Sequence, residues 1–143
     1  ASRVPLIVYD PRMPESERGQ VNSVRALNID IAPTVMSAAG QPIPARVQGV
    51  DLSEFYLKSP PANPRGSFLY EHPTITNRDR IPASQAVIGQ DFKYVCWPEW
   101  NFEQLFDLRS DDEEIHNLVD EPKHAQDVAR LRLELDRLLE QAR

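Results

Sequence analysis

Hydrophobic positions change their spacing several times along the chain, and each change marks an element. Val4 to Tyr9 is a short apolar run closed by Asp10-Pro11. A run without alternation predicts a strand buried on both faces, as in a parallel sheet. A polar stretch, 12–22, follows with Pro14 and Gly19 as punctuation, and Val21, Val24 and Leu27 then lead to Asn28-Ile29-Asp30. Asp30 stands where a helix N-cap is expected, its carboxylate able to accept from the free amides of the first turn. Pro33 suits that turn, because its missing amide costs nothing there. Ile31, Val35 and Ala38, or Val35, Met36 and Ala39, recur at helical spacing until Gly40 and Pro42 stop the helix. Gly49 to Leu57 holds enough apolar residues for one or two helical turns.

The stretch from Ser59 to Gly66, with prolines at 60, 61 and 64, breaks the pattern. It places a boundary between a first part, 1–58, and a second, 59–143. Beyond it, Ser67 to Glu71, Gln85 to Ile88, Phe92 to Trp97 and Glu103 to Leu108 are short and rich in aromatic and β-branched residues. Gly89-Gln90-Asp91 reads as a hairpin turn. Four such segments predict a small antiparallel sheet. From Pro122 to Arg143, Val128, Leu131, Leu135, Leu138 and Ala142 fall on one helical stripe. Arg130 with Glu134 and Arg132 with Asp136 are spaced to pair along the helix. An exposed leucine stripe is costly, so the helix is expected to lie on the sheet.

Composition adds exclusions. The 143 residues carry a net charge of −6, which argues against nucleic-acid binding, since that needs clustered cations. No run approaches the roughly 20 apolar residues of a membrane helix. The single Cys96 excludes an internal disulfide. An N-terminus that enters a strand-like run at once reads as a cut within a longer protein.

Three segments together carry a family resemblance. Val4-Pro5-Leu6-Ile7-Val8 is the first. Asn28-Ile29-Asp30-Ile31-Ala32-Pro33-Thr34, with Ala39-Gly40 and Gln48-Gly49-Val50-Asp51-Leu52, is the second. The third is Lys93-Tyr94-Val95, then Glu103-Gln104-Leu105-Phe106-Asp107-Leu108 and Asn117-Leu118. In this order they resemble the C-terminal part of sulfatases, members of the alkaline-phosphatase-like superfamily. Phe106 stands where that family usually has Tyr, Asp112 where it often has Pro, and Asp51 where it commonly has Ser or Arg. The resemblance implies the tail of a large α/β domain, then a small α+β subdomain in which a four-stranded antiparallel sheet is packed with a long C-terminal helix. It also implies an exported protein, periplasmic or secreted, that hydrolyses sulfate esters with a formylglycine nucleophile and a calcium ion. Both of those would belong to an N-terminal catalytic part upstream of Ala1, so the 143 residues alone are expected to be inactive. Two other readings compete: a phosphate or phosphonate ester hydrolase of the same superfamily, and a non-catalytic interaction module.

Chemistry-bearing residues are few. Cys96-Trp97-Pro98 begins like the Cys/Ser-x-Pro-x-Arg motif that formylglycine requires, but Trp100 occupies the Arg position; a strand cysteine is expected instead. Asp111 to Glu114 lacks the glycine and ligand spacing of a calcium loop. His72, His116 and His124 show no paired metal spacing. The segment 70–80 is polar and joins two strands, a setting that often carries binding groups. His72, Arg78 and Arg80 are therefore the candidate substrate-pocket residues. Without strand neighbours, the run 4–9 is expected to pair with another chain.

Overall fold

The computed structural model describes residues 4–58, 65–73 and 79–143. The chain divides into two compact units, Ala1–Arg65 and Gly66–Arg143.

In the second unit, β1 (Ser67–His72), β2 (Ser84–Gly89), β3 (Phe92–Trp97) and β4 (Phe102–Asp107) form one antiparallel sheet in the order β1-β2-β3-β4. The strands begin and end within a residue or so of the positions the aromatic and β-branched segments indicate. Tyr70 and Glu71, which fall both in the first strand segment and at the start of the connecting segment, lie in β1, and His72, expected in the connection, completes it by pairing with Ser84. The reason is register: six consecutive residues of β1 find partners on β2, and backbone pairing extends as far as partners last.

The last helix, α3 (Ala125–Ala142), follows a short turn at Pro122–His124. Side chains alternate across the sheet, so Val87, Tyr94 and Leu105 share one face and meet Val128, Leu131 and Leu135 of α3. Leu69, Phe92, Cys96, Leu138 and Leu139 surround this core. Burying each such leucine contributes roughly 1.5–3 kcal/mol. The helix carries its charges differently from the expected pairs four apart. Arg130 meets Asp127, Arg137 meets Glu134, and Arg132 reaches across to Glu103 of β4. A charge-assisted bond to a carboxylate fixed on the sheet outcompetes a solvated pair along the helix.

Two connections shape the sheet. Between β3 and β4, Pro98–Trp100 make a single turn and Asn101 takes a left-handed conformation, φ 47°, which asparagine tolerates better than most residues. After β4, the chain folds back along its outer side. Asn117 Oδ1 accepts from the Leu105 amide at 2.9 Å, and its Nδ2 donates to the Glu103 carbonyl at 3.3 Å. The Leu118 amide donates to the Leu105 carbonyl at 2.8 Å.

In the first unit, α1 (Ile31–Ala38) ends on Gly40 at φ 68°, with the Gln41 amide donating to the Met36 carbonyl at 2.9 Å. This is the glycine-terminated helix that the sequence indicates. A second single-turn helix, α2, spans Glu54–Leu57. The run 4–9 departs from expectation. It has no strand structure, and Ile7 and Tyr9 are 90% and 89% exposed. A strand exists only through a ladder with a neighbour, and none of the described residues supplies one.

Candidate functional site

Within the first unit, the two pieces of the second resemblance segment, 28–34 and 48–52, meet at one carboxylate. Asp30 is fully buried. Its Oδ2 accepts from the Leu27 amide at 2.7 Å, and its Oδ1 accepts from the Val50 amide at 2.9 Å. The Arg65 guanidinium donates to both oxygens, at 3.0 and 2.7 Å. Asp30 therefore does not cap α1; the side chain turns away from the first turn of the helix to collect three separate stretches of chain. Burial works to raise its pKa, but Arg65 and the two amides outweigh it, and the carboxyl is held below its usual value. One turn on, the Thr34 hydroxyl donates to the Asp30 carbonyl at 2.6 Å and accepts from the Leu52 amide at 2.9 Å. Gly49 lies so close to this assembly that a Cβ there would sit 2.0 Å from the Ile29 carbonyl oxygen. The Asn28–Thr34 and Gln48–Leu52 motifs are thus two halves of one clamp, and every donor it uses serves architecture.

Of the candidate pocket residues, His72 lies at one end of the sheet. His72 closes β1 and lines an open hollow of about 280 Å³ with Glu71, Pro73, Ala83, Ser84, Gln85 and Pro98. Arg80 sits in an exposed turn and does not line that hollow. Arg78 lies outside the described residues. Among the described candidates, the structure places His72 beside Ser84 and Gln85 of β2, and Arg80 does not line that hollow.

The remaining reactive-looking groups have structural roles. Cys96 is half-buried in β3 and packs beside the helix core; burial first, and the nearby Glu103 charge second, push its thiol pKa up, away from nucleophilic use. Asp111 accepts from the amides of Ile115 and His116 at 3.0 and 2.8 Å, so the acidic run is a carboxylate-held turn. Glu114 in that turn adopts φ 58° and binds Lys93 at 2.5 Å. His124 lies 3.3 Å from Asp127 and meets the Phe92 ring edge-on. The buried Tyr94 hydroxyl donates to Glu103 at 2.5 Å, and Arg132 grips the same carboxylate. Burial, then Glu103, raises the Tyr94 pKa. Among the described residues, no group of three or more His, Cys, Asp or Glu side chains could hold a metal ion. Sequence reasoning gave Arg65 no role and noted Glu103 and Asn117 only within the resemblance, not for the bonds they make. Arg65 sits inside a breaker stretch, and no local pattern announces a partner 35 residues away.

The family model for the N-sulphoglucosamine sulphohydrolase C-terminal region matches residues 1–141. The chain belongs to this sulfatase family. It is 26% identical over 129 residues to an N-acetylglucosamine-6-O-sulfatase of Bacteroides thetaiotaomicron, covering 86% of this chain and 22% of that protein. It is 28% identical over 140 residues to a Delta 4,5-hexuronate-2-O-sulfatase of the same organism, covering 94% and 28%. The chain thus spans about a quarter of the length of the curated relatives it matches. Among solved structures, a 2-O GAG sulfatase superimposes with a TM-score of 0.69 at 25% identity, over 78% of this chain and 24% of that one. A phosphonate monoester hydrolase from Silicibacter pomeroyi superimposes at 0.66 and 26% identity, over 83% and 26%. The sheet and helix described above are the C-terminal part of the fold these sulfatases share.

Proposed function

We propose that the whole protein hydrolyses a sulfate ester borne on a saccharide, and that this chain is the end that completes its fold. The observation that carries the reading is the sulfatase family match across residues 1–141, joined by two relatives whose names specify sugar sulfates. Formylglycine and a divalent cation would supply the attack on sulfur and the charge stabilisation from elsewhere in the protein. Within this chain, the Asp30 clamp and the α3-covered sheet hold position. His72, with Arg78 and Arg80 of the adjoining loop, contacts the substrate outside its reacting sulfur. In the isolated chain, the run 4–9 pairs with a second copy, because exposed apolar residues and unpaired backbone favour strand addition.

The test uses the whole protein against sulfated monosaccharides, 4-nitrophenyl sulfate and a phenyl phosphonate monoester. Hydrolysis of sulfate esters, with kcat/KM for the phosphonate at least a hundredfold lower, is expected. The likeness to the phosphonate monoester hydrolase makes the reverse preference the competing outcome, and that result would replace the sulfatase reading. The 143 residues alone are expected to turn over none of these substrates; turnover by this chain in pure form would overturn the division of labour. Single alanine replacements at 72, 78 and 80 that leave KM and kcat untouched would remove those residues from the substrate contact.

A further inference from the structure

We propose that Trp100, in the turn between β3 and β4, is a specificity-determining residue that stacks against the sugar ring of the substrate; the proposal rests on the sulfatase reading above. Meander topology supplies the first argument. It sends the β1–β2 and β3–β4 connections to the same end of the sheet, while the other end holds the tight Gln90-Asp91 turn. The hollow at that end draws on both connections, with His72 and Ser84 from facing ends of β1 and β2 and Pro98 from the β3–β4 turn. Two residues beyond Pro98, Trp100 is 53% exposed.

The turn presents that indole on a held backbone. Pro98 fixes its own φ, the Asn101 amide donates to the Pro98 carbonyl at 3.4 Å, and Asn101 is locked left-handed at φ 47°. Trp97, by contrast, is engaged with Phe102, ring centroids 5.4 Å apart. Among the described residues, Trp100 has no such ring partner. An exposed, unstacked indole on a constrained turn, two residues from the Pro98 that lines a largely apolar hollow with a few polar groups, is a mixed surface. It suits a ligand with an apolar face and a hydroxyl-bearing rim, which is the chemistry of a pyranose ring. His72, Ser84 and Gln85 offer both donors and acceptors to such a rim. A side chain whose rotamers are few and whose backbone is fixed costs little ordering on binding.

The experiment compares kcat/KM for a sulfated monosaccharide and for 4-nitrophenyl sulfate in the whole protein. For Trp100→Ala the ratio of the two values is expected to fall tenfold or more, through a raised KM for the saccharide with kcat within about threefold of the parent. Trp100→Phe should restore most of the ratio. Leu133→Ala, at a position 72% exposed on α3, should leave the ratio unchanged. An unchanged ratio in Trp100→Ala, or equal loss on both substrates, overturns the proposal while sulfatase activity stands. A parent protein that hydrolyses no sulfate ester removes the sulfatase reading, and this proposal with it.

Discussion

Asp30→Ala is the perturbation that tests the clamp most directly. The side chain is fully buried, and its two oxygens serve the Leu27 amide, the Val50 amide and both terminal nitrogens of Arg65. Alanine leaves two amides without acceptors, each costing about 1–3 kcal/mol if no water reaches it. It also removes both carboxylate contacts of the Arg65 guanidinium, whose side chain is 11% exposed and which keeps the Arg25 carbonyl at 3.4 Å. Removing one partner of a buried pair costs about 3–5 kcal/mol, and the two estimates agree in scale. Asp30→Asn should fall between alanine and the parent, because the carboxamide still accepts but cannot match the charge on Arg65. Hydrogen exchange at the Leu27 and Val50 amides reads the result: both should lose protection by two orders of magnitude or more in Asp30→Ala, while amides of β2 and β3 change little. Since the folded pKa lies below the ordinary carboxylate value, the contribution is complete above about pH 4 and is lost as pH falls through the depressed folded value. A loss under about 1 kcal/mol, or protection at Val50 unchanged in alanine, would refute the reasoning that the carboxylate holds these segments.

Three further outcomes follow from the same structure. Gly49→Ala should destabilise the first unit by about 1–3 kcal/mol, because its methyl would meet the Ile29 carbonyl oxygen at 2.0 Å; urea unfolding followed at the first-unit amides checks it, and a neutral result would mean the Ile29 peptide moves freely. Leu131→Ala, at a position 3% exposed, should cost about 2–5 kcal/mol, whereas Leu133→Ala on the opposite face should cost little, a contrast that thermal unfolding of the second unit resolves. Arg137, and secondarily the Ser67 hydroxyl, lower the Glu134 pKa to about 2 against the opposing effect of burial; its contribution should therefore persist at neutral pH and fade between pH 4.5 and about 2. Glu134→Gln should flatten that part of the acid-unfolding curve, and an unchanged curve would place the stabilisation elsewhere.

The second unit was readable from the sequence because its signals are local. Short runs rich in aromatic and β-branched residues mark β1 to β4, and the 3.6-residue stripe of Val128, Leu131 and Leu135 marks the helix that covers them. Gly40 likewise announced the end of α1. What the sequence concealed is carried by single side chains that act over long separations. Asp30 looked like a cap since its type and position fit one, but four donors from elsewhere claimed it. Arg132 was expected to pair within its helix and instead bonds to Glu103, 29 residues away in sequence. The apolar run 4–9 reads as a strand from composition, yet strand formation is a property of two segments, and one alone cannot make a ladder. His72 was proposed from the polar segment it begins, whereas Trp100 entered only as the residue that breaks a nucleophile motif. Its exposure is visible only once the turn is folded.

Asn117 has a consequence for assembly. Its carboxamide has the same donor and acceptor as a peptide unit, and it occupies the hydrogen-bonding positions beside Leu105 and Glu103 that an added strand would need. One residue thus acts as a terminator, giving the sheet a finished border without spending a fifth strand on it. Chains that associate through their backbones cannot propagate past β4 at this point, and losing that amide would reopen a template for growth.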